Sequence, residues 1–278
     1  MAVEDGARPD RGQQRVTGIE ELLADLQAEL NLTWHPGGRD ATDVLAAACH
    51  IRPGARVLEV GCGVGLTACY LARRYGCRIT GIDSRPRLIA RARERAAWLG
   101  LGDRADFHVC DALSPLSSGA DAVGYDAVGY DAVIGEAVLA YLPEKATALR
   151  TWMDVTRPGG YVGFSDATWL RPPNPASLAL ARDALGRSLV LLSPDDWAAL
   201  LRETGLLEVT AYVRPLHAAG EARQQLEHAG AGLLRAWVRA AALWVSRPAD
   251  RQIIRRALGM PRELFGTWGY GVWAGRKP

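Results

Sequence analysis

The chain has 278 residues, enough for one large domain or a domain with an elaborate insert, and 49% of them are apolar, ample for a core. Its 33 basic and 31 acidic residues give a net charge of +2 with no long block of one sign, which argues against nucleic acid or an acidic membrane as a partner. The five cysteines (Cys49, Cys62, Cys69, Cys77, Cys110) are odd in number and never spaced C-x-x-C, so neither a disulfide frame nor a bound metal is expected, and the compartment should be reducing.

Residues 1–15 form a polar tail without an apolar leader core, and no later run approaches the ~18 apolar residues of a spanning helix, so the expectation is a soluble, cytoplasmic protein without integral membrane association. Thr17 and Glu20 make a capping box, and Ile19, Leu22, Leu23, Leu26 and Leu30 repeat at helical spacing. "TWHPGGRD" breaks this helix, and a second one runs from Asp40 through Cys49 to "RPG"; residues 16–50 thus read as an N-terminal helical cap. Strands and helices then alternate: a strand at Arg56 to Val60, a helix from Leu66 to Tyr75, a strand at Arg78 to Ile82, a helix capped by Ser84 running to Gly100, and a strand at Ala105 to Cys110. Such order predicts a parallel sheet with right-handed crossovers, doubly wound, with helices on both faces.

Residues 121–135, "DAVGYDAVGYDAVIG", repeat one short unit, and only the last copy leads into the next helix, which places the fourth strand at Tyr130 to Gly135. Pro143 opens a helix through Val155, "RPGG" turns the chain, and Tyr161 to Asp166 forms the fifth strand. Ser193 and Pro194 start a helix that ends at Gly205; Leu207 to Val213 and Trp268 to Gly275 complete the strands. The cofactor-binding core therefore spans 51–216 and 265–278, with a helical insert at 217–264. In that insert Leu234, Trp237, Val238, Ala241, Trp244 and Val245 share one helix face, expected to pack on the core rather than lie on a membrane.

The glycines of "VLEVGCGVGLTACY" bear on the ligand class together with the acids that follow. A dinucleotide fingerprint G-x-G-x-x-G fits Gly61 and Gly63, but Leu66 takes the place of the third glycine and Gly65 comes one residue early. What remains is E-x-G-x-G-x-G, with Glu59 in the strand. Asp83 stands at the end of the second strand, where a carboxylate can accept from both hydroxyls of a ribose, and Asp111 at the end of the third, where it can accept from an adenine amino group.

With these features, residues from about Trp34 to Asp166 resemble the class I S-adenosylmethionine-dependent methyltransferases, through "VLEVGCGVG", "ITGIDSR", "FHVCDA", "YDAVIGEAVLAYL" and "RPGGYVGFSD". The resemblance implies a seven-stranded sheet of order 3-2-1-4-5-7-6 with the last strand antiparallel. It implies S-adenosylmethionine as cofactor, with Gly61, Cys62 and Gly63 under the methionine and ribose and Asp83, flanked by Ser84, on the ribose. Asp111 and Ala112 would take the adenine, and Gly135 and Glu136 would lie near the methionine. Strands six and seven would meet at the cleft edge, making the insert between them a lid.

Methyl transfer from a sulfonium needs alignment and exclusion of water, and a base only for an acceptor that stays protonated at neutral pH. Glu136, His35, Asp166 and His217 are the candidate bases, with Glu136 and Asp166 favoured because both lie at strand ends on the cleft. Trp34, Trp169, Trp237 and Trp244, with His217, could enclose an apolar or aromatic small molecule. An N-P-P-Y type sequence after the fourth strand is missing, as is any basic stripe. The expected partner is thus a small-molecule acceptor, for a monomer or homodimer. Three alternatives stay open: a relative that binds the same cofactor but decarboxylates, cyclises or hydroxylates, a nicotinamide-dependent reductase, and a non-catalytic binding protein.

Overall fold

The computed structural model describes residues 35–113, 129–186, 188–217 and 267–278, together with Ala24, Gln27 and Ala28 and a few positions between 238 and 251. Six helices and seven strands are delimited among them. They are α1 (Gly38–Ala48), β1 (Arg56–Val60), α2 (Leu66–Tyr75), β2 (Arg78–Asp83), α3 (Pro86–Trp98), β3 (Ala105–Val109), β4 (Tyr130–Glu136), α4 (Lys145–Val155), β5 (Thr156–Trp169), α5 (Pro175–Leu185), α6 (Pro194–Glu203), β6 (Leu207–Pro215) and β7 (Trp268–Arg276). The strands form one sheet in the order β3-β2-β1-β4-β5-β7-β6, in which only β7 runs antiparallel to its neighbours. The expected topology is therefore present.

Alternation along the strands sorts the core onto two faces. Val57, Ala132 and Ile134 face α1, α2 and α3 and pack with Leu45, Leu71, Ile89 and Phe107. Leu58, Val133, Val162 and Phe164 face the other way and pack with Trp152 of α4 and Trp197 and Leu201 of α6. Phe164 and Trp273 stack at 5.2 Å across β5 and β7, and Trp197 closes on both.

Several elements differ from the sequence-based expectation, each for a local reason. "RPGG" does not end a loop but lies inside β5, which begins at Thr156 opposite Tyr130; a register shift between Tyr130 and Ala132 absorbs it, with Gly159 at φ 71°. The helix after β4 starts at Lys145 instead of Pro143, because Leu139–Tyr141 first makes a 3-10 turn. Helix α5 was not expected, although Asn174 caps it by accepting from Ser177 N and Pro175 takes its first turn. Ser84 is exposed and does not cap α3: the N-cap position belongs to Arg85, whose N–H goes to Asp83 Oδ1 at 2.9 Å. The fourth strand does fall on the last repeat copy. The Thr17 capping box and Ile19, Leu22, Leu23, Leu26 and Leu30 lie outside the described residues, as do Trp34, Leu234 and Trp237; Val238 and Val245 of the insert are 63% and 73% exposed rather than packed on the core.

The end of β6 meets the start of β7, with Pro215 opposite Gly269 and Leu216 N donating to Trp268 O, beside the end of β5, where Trp169 pairs with Trp268. Residues 217–266 therefore leave and rejoin the sheet at the edge where the parallel strands end. Among the described residues no helix is long and apolar enough to cross a membrane.

Close packing fixes one backbone position in β4. A β-carbon at Gly135 would stand 2.6 Å from Trp152 Cη2 and 3.4 Å from Val60 O. Gly135→Ala is expected to lower unfolding free energy by about 1–3 kcal/mol through overpacking, measured as a lower urea midpoint at unchanged m value.

Candidate active site

The glycine loop joins β1 to α2 through three residues with positive φ, Gly61 (71°), Gly63 (54°) and Gly65 (70°). Two are required by close packing. A β-carbon at Gly61 would run into Val138 Cγ2, and one at Gly65 would meet Ala92 and Phe107 within 3.0 Å. Gly63 differs, since nothing lies within 4 Å of the position its β-carbon would take. The loop is thus bare on one side, at the carboxyl ends of the strands, where open α/β sheets place ligands.

Backbone hydrogen bonds hold this shape. Cys62 uses both of its backbone groups internally, donating to Ile82 O at 2.9 Å and accepting from Gly65 N at 2.9 Å, while its buried thiol is pushed up. Asp83, 7% exposed, accepts from Gly63 N at 3.1 Å through Oδ2 and from Arg85 N through Oδ1. Burial raises its pKa, and the two N–H donors and the Arg85 charge pull it back. Asp111 is exposed beyond the end of β3, where its Oδ1 accepts from Leu113 N, with Ala112 half-buried beside it.

A second group of polar side chains meets on the α1 and α2 face. Glu136 ends β4, 6% exposed; it accepts from Thr42 Oγ1 at 2.9 Å and from Thr67 Oγ1 at 2.7 Å, with Ser165 Oγ at 3.5 Å. His35 Nε2 stands 3.5 Å from Glu136 Oε2, with both side chains buried. The following residue, Ala137, has φ 54°, a left-handed conformation that costs a residue with a side chain ~1–2 kcal/mol. Glu59 lies on the same face, 3% exposed, and its Oε2 has no hydrogen-bond partner. Burial pushes Glu59 well above the usual carboxylate range, and the charges of Glu136 and Asp83 add to the shift.

The structure thus brings Gly61, Cys62, Gly63 and Asp83 into one loop cluster and His35 and Glu136 into one pair. It does not bring Asp166 to them. Asp166 alternates to the opposite face of the sheet, where both oxygens are taken by the N–H groups of Ala140 and Ala167. Burial raises it to about 6 despite those bonds and Lys145. The stability contributed by its protonated form is complete below the ordinary carboxylate range and is lost as pH rises through about 6. Trp169 is buried edge-on against Trp268 at 5.4 Å, His217 is exposed just past β6, and Trp244 is half-buried with the Arg251 guanidinium 5.8 Å from its ring centroid. Glu59, read only as the acid of the glycine motif, and Thr42 and Thr67, not singled out at all, carry part of this geometry. Their signal was a charge and two hydroxyls in otherwise apolar strand and helix faces.

Comparison with known proteins bears on the segment that carries these residues. The family described as "Methyltransferase domain" matches residues 57–160, the segment from β1 into β5 that holds the glycine loop, Asp83, Asp111 and Glu136. This segment is a methyltransferase domain of the class I S-adenosylmethionine-dependent type. A relative, the 27-O-demethylrifamycin SV methyltransferase of Amycolatopsis mediterranei, is 31% identical over 183 residues, covering 63% of this chain and 64% of that enzyme's length. Among solved structures, the [4+2]-cyclase SpnF superposes with a TM-score of 0.70 at 23% identity, covering 92% of this chain and 94% of that one. A methyltransferase of Geobacter sulfurreducens in complex with S-adenosyl-L-homocysteine gives 0.63 at 22% identity, covering 91% and 96%. At those identities the two structures share the fold with this methyltransferase.

Thr67→Val keeps the shape and removes the shortest hydrogen bond to Glu136. The expected cost is about 1.5–3 kcal/mol of stability, as for a bond to a charged group; an unchanged denaturation midpoint would remove Thr67 from the network.

Proposed function

We propose that this methyltransferase transfers a methyl group from S-adenosylmethionine to the oxygen of a small, apolar or aromatic molecule. One observation carries the reading: three buried carboxylates, Glu59, Asp83 and Glu136, converge behind a glycine loop whose Gly63 faces open space, and one oxygen of Glu59 has no partner. A buried carboxylate with one oxygen unsatisfied is costly, and a ligand that brings positive charge offsets that cost. When bound, S-adenosylmethionine supplies an activated methyl group on a sulfonium, open to in-line displacement. It has no phosphate, which fits a loop without lysine.

The residues then divide the work. Each Asp83 oxygen accepts one backbone N–H and keeps acceptor capacity for ribose hydroxyls, and Asp111, exposed at the next strand end, takes the adenine amino group with the Ala112 backbone. Glu59 and Glu136 provide the negative field around the cationic end. His35 receives the acceptor's proton, and Glu136, fixed by Thr42 and Thr67, stabilises the imidazolium that results. The Trp169 and Trp268 corner supplies an apolar wall at the cleft edge, and the segment that leaves and rejoins the sheet there acts as the lid that excludes water. The relative named for methylating 27-O-demethylrifamycin SV supports an oxygen acceptor.

Calorimetric titration tests this reading. S-adenosylmethionine and S-adenosylhomocysteine are expected to bind and NADH not to, and Asp83→Ala should weaken binding by about 1.5–3 kcal/mol. Unchanged affinity in a folded Asp83→Ala protein would refute the ribose assignment. Stoichiometric cofactor binding with no S-adenosylhomocysteine formed across a panel of phenols and alcohols would move the protein to non-methylating chemistry.

A further inference from the structure

Beneath the turn that follows β4, on the sheet face away from Glu136, a buried lysine and a buried aspartate have no part in the chemistry above. Asp166 Oδ2 accepts the N–H of Ala140 at 2.9 Å, and its Oδ1 accepts that of Ala167 at 2.9 Å. Lys145 Nζ donates to Leu142 O at 2.8 Å, reaches Ala140 O at 3.5 Å, and lies 5.9 Å from the centre of the Trp197 ring. Ala140 is held through both its N–H and its carbonyl, which also takes the Val190 N–H at 2.8 Å.

This turn carries mechanical consequences upstream. It is entered through Ala137 at φ 54°, whose N–H is tied to Ser165 O at 2.8 Å, and it packs Val138 where a β-carbon on Gly61 would stand. For stability alone, two apolar side chains would fill such a buried space as well as two charged ones do. Polar groups that bond named peptides do something apolar ones cannot, because they select one conformation of a strained turn.

We propose that Asp166 and Lys145 are positioning residues that lock the 137–142 turn, so that Val138 holds the glycine loop in the shape that receives the methionine end of the cofactor. The assignment rests on the cofactor reading above. It replaces a base at Asp166 with a clamp, and it adds Lys145, which borders no part of the cleft.

The test uses the full chain with Asp166→Asn, Lys145→Met and the double variant. For each, S-adenosylhomocysteine affinity, KM for S-adenosylmethionine, kcat at saturating cofactor and melting temperature are measured. Each single variant is expected to raise the dissociation constant and KM about tenfold, the scale of one lost charged hydrogen bond, with kcat changed less. The double variant should be little worse than either single one, because both act on one turn. A lower melting temperature with unchanged dissociation constant and KM would overturn the proposal, leaving both residues purely structural. If Asp166→Asn does not fold, Lys145→Met alone decides on the same readouts. Wild-type protein that binds no S-adenosylhomocysteine would overturn the cofactor reading itself, whereas wild-type binding matched by both variants overturns only the clamp.

Discussion

The burial of Glu59 beside Glu136 is the constraint on which the rest of the site depends. A carboxylate withdrawn from water favours its neutral form, and a second carboxylate nearby strengthens that preference. Glu59 has both conditions and an oxygen without a donor. A ligand that brings positive charge would offset the cost of that burial. In the proposed reading, the adenosyl sulfonium with its amino acid end brings that charge.

The fold supports this demand from two sides. On the α1 and α2 face, hydroxyls from two helices, Thr42 and Thr67, converge on Glu136 and tie the N-terminal cap to the cofactor loop. Asp43 of α1 adds a second tie, accepting from the hydroxyls of Tyr70 and Tyr75 at 2.7 and 2.9 Å. On the opposite face, Asp166 and Lys145 grip the turn whose Val138 abuts Gly61. Between them lies Ala137 in a left-handed conformation, where a surrounding structure that over-determines the backbone can hold it.

Much of this was legible in the sequence because it follows from period and punctuation. Strand and helix alternation gave the doubly wound sheet, and E-x-G-x-G-x-G with Asp83 and Asp111 at successive strand ends marked the cofactor side. What could not be read was facing. Asp166 looks equivalent to Glu136, one strand over and at a strand end, yet β4 pairs Glu136 with Ser165, so the next residue along β5 points to the other face. Threonines and a lysine inside apolar helix faces likewise carry no period of their own, and their partners become visible only when α1, α2 and α4 are docked on the sheet. "RPGG" misled for a related reason, since its turn chemistry was absorbed as an irregularity within a longer strand.

The most direct measurement of the central claim is a carbon-13 NMR titration of the Glu59 carboxyl in free protein and in the complex with S-adenosylmethionine. In free protein it should titrate well above the ordinary carboxylate range, and with the sulfonium bound its midpoint should fall, because the ionised form gains its missing partner. An ordinary midpoint in the free protein, or one that the cofactor leaves unmoved, would contradict the account.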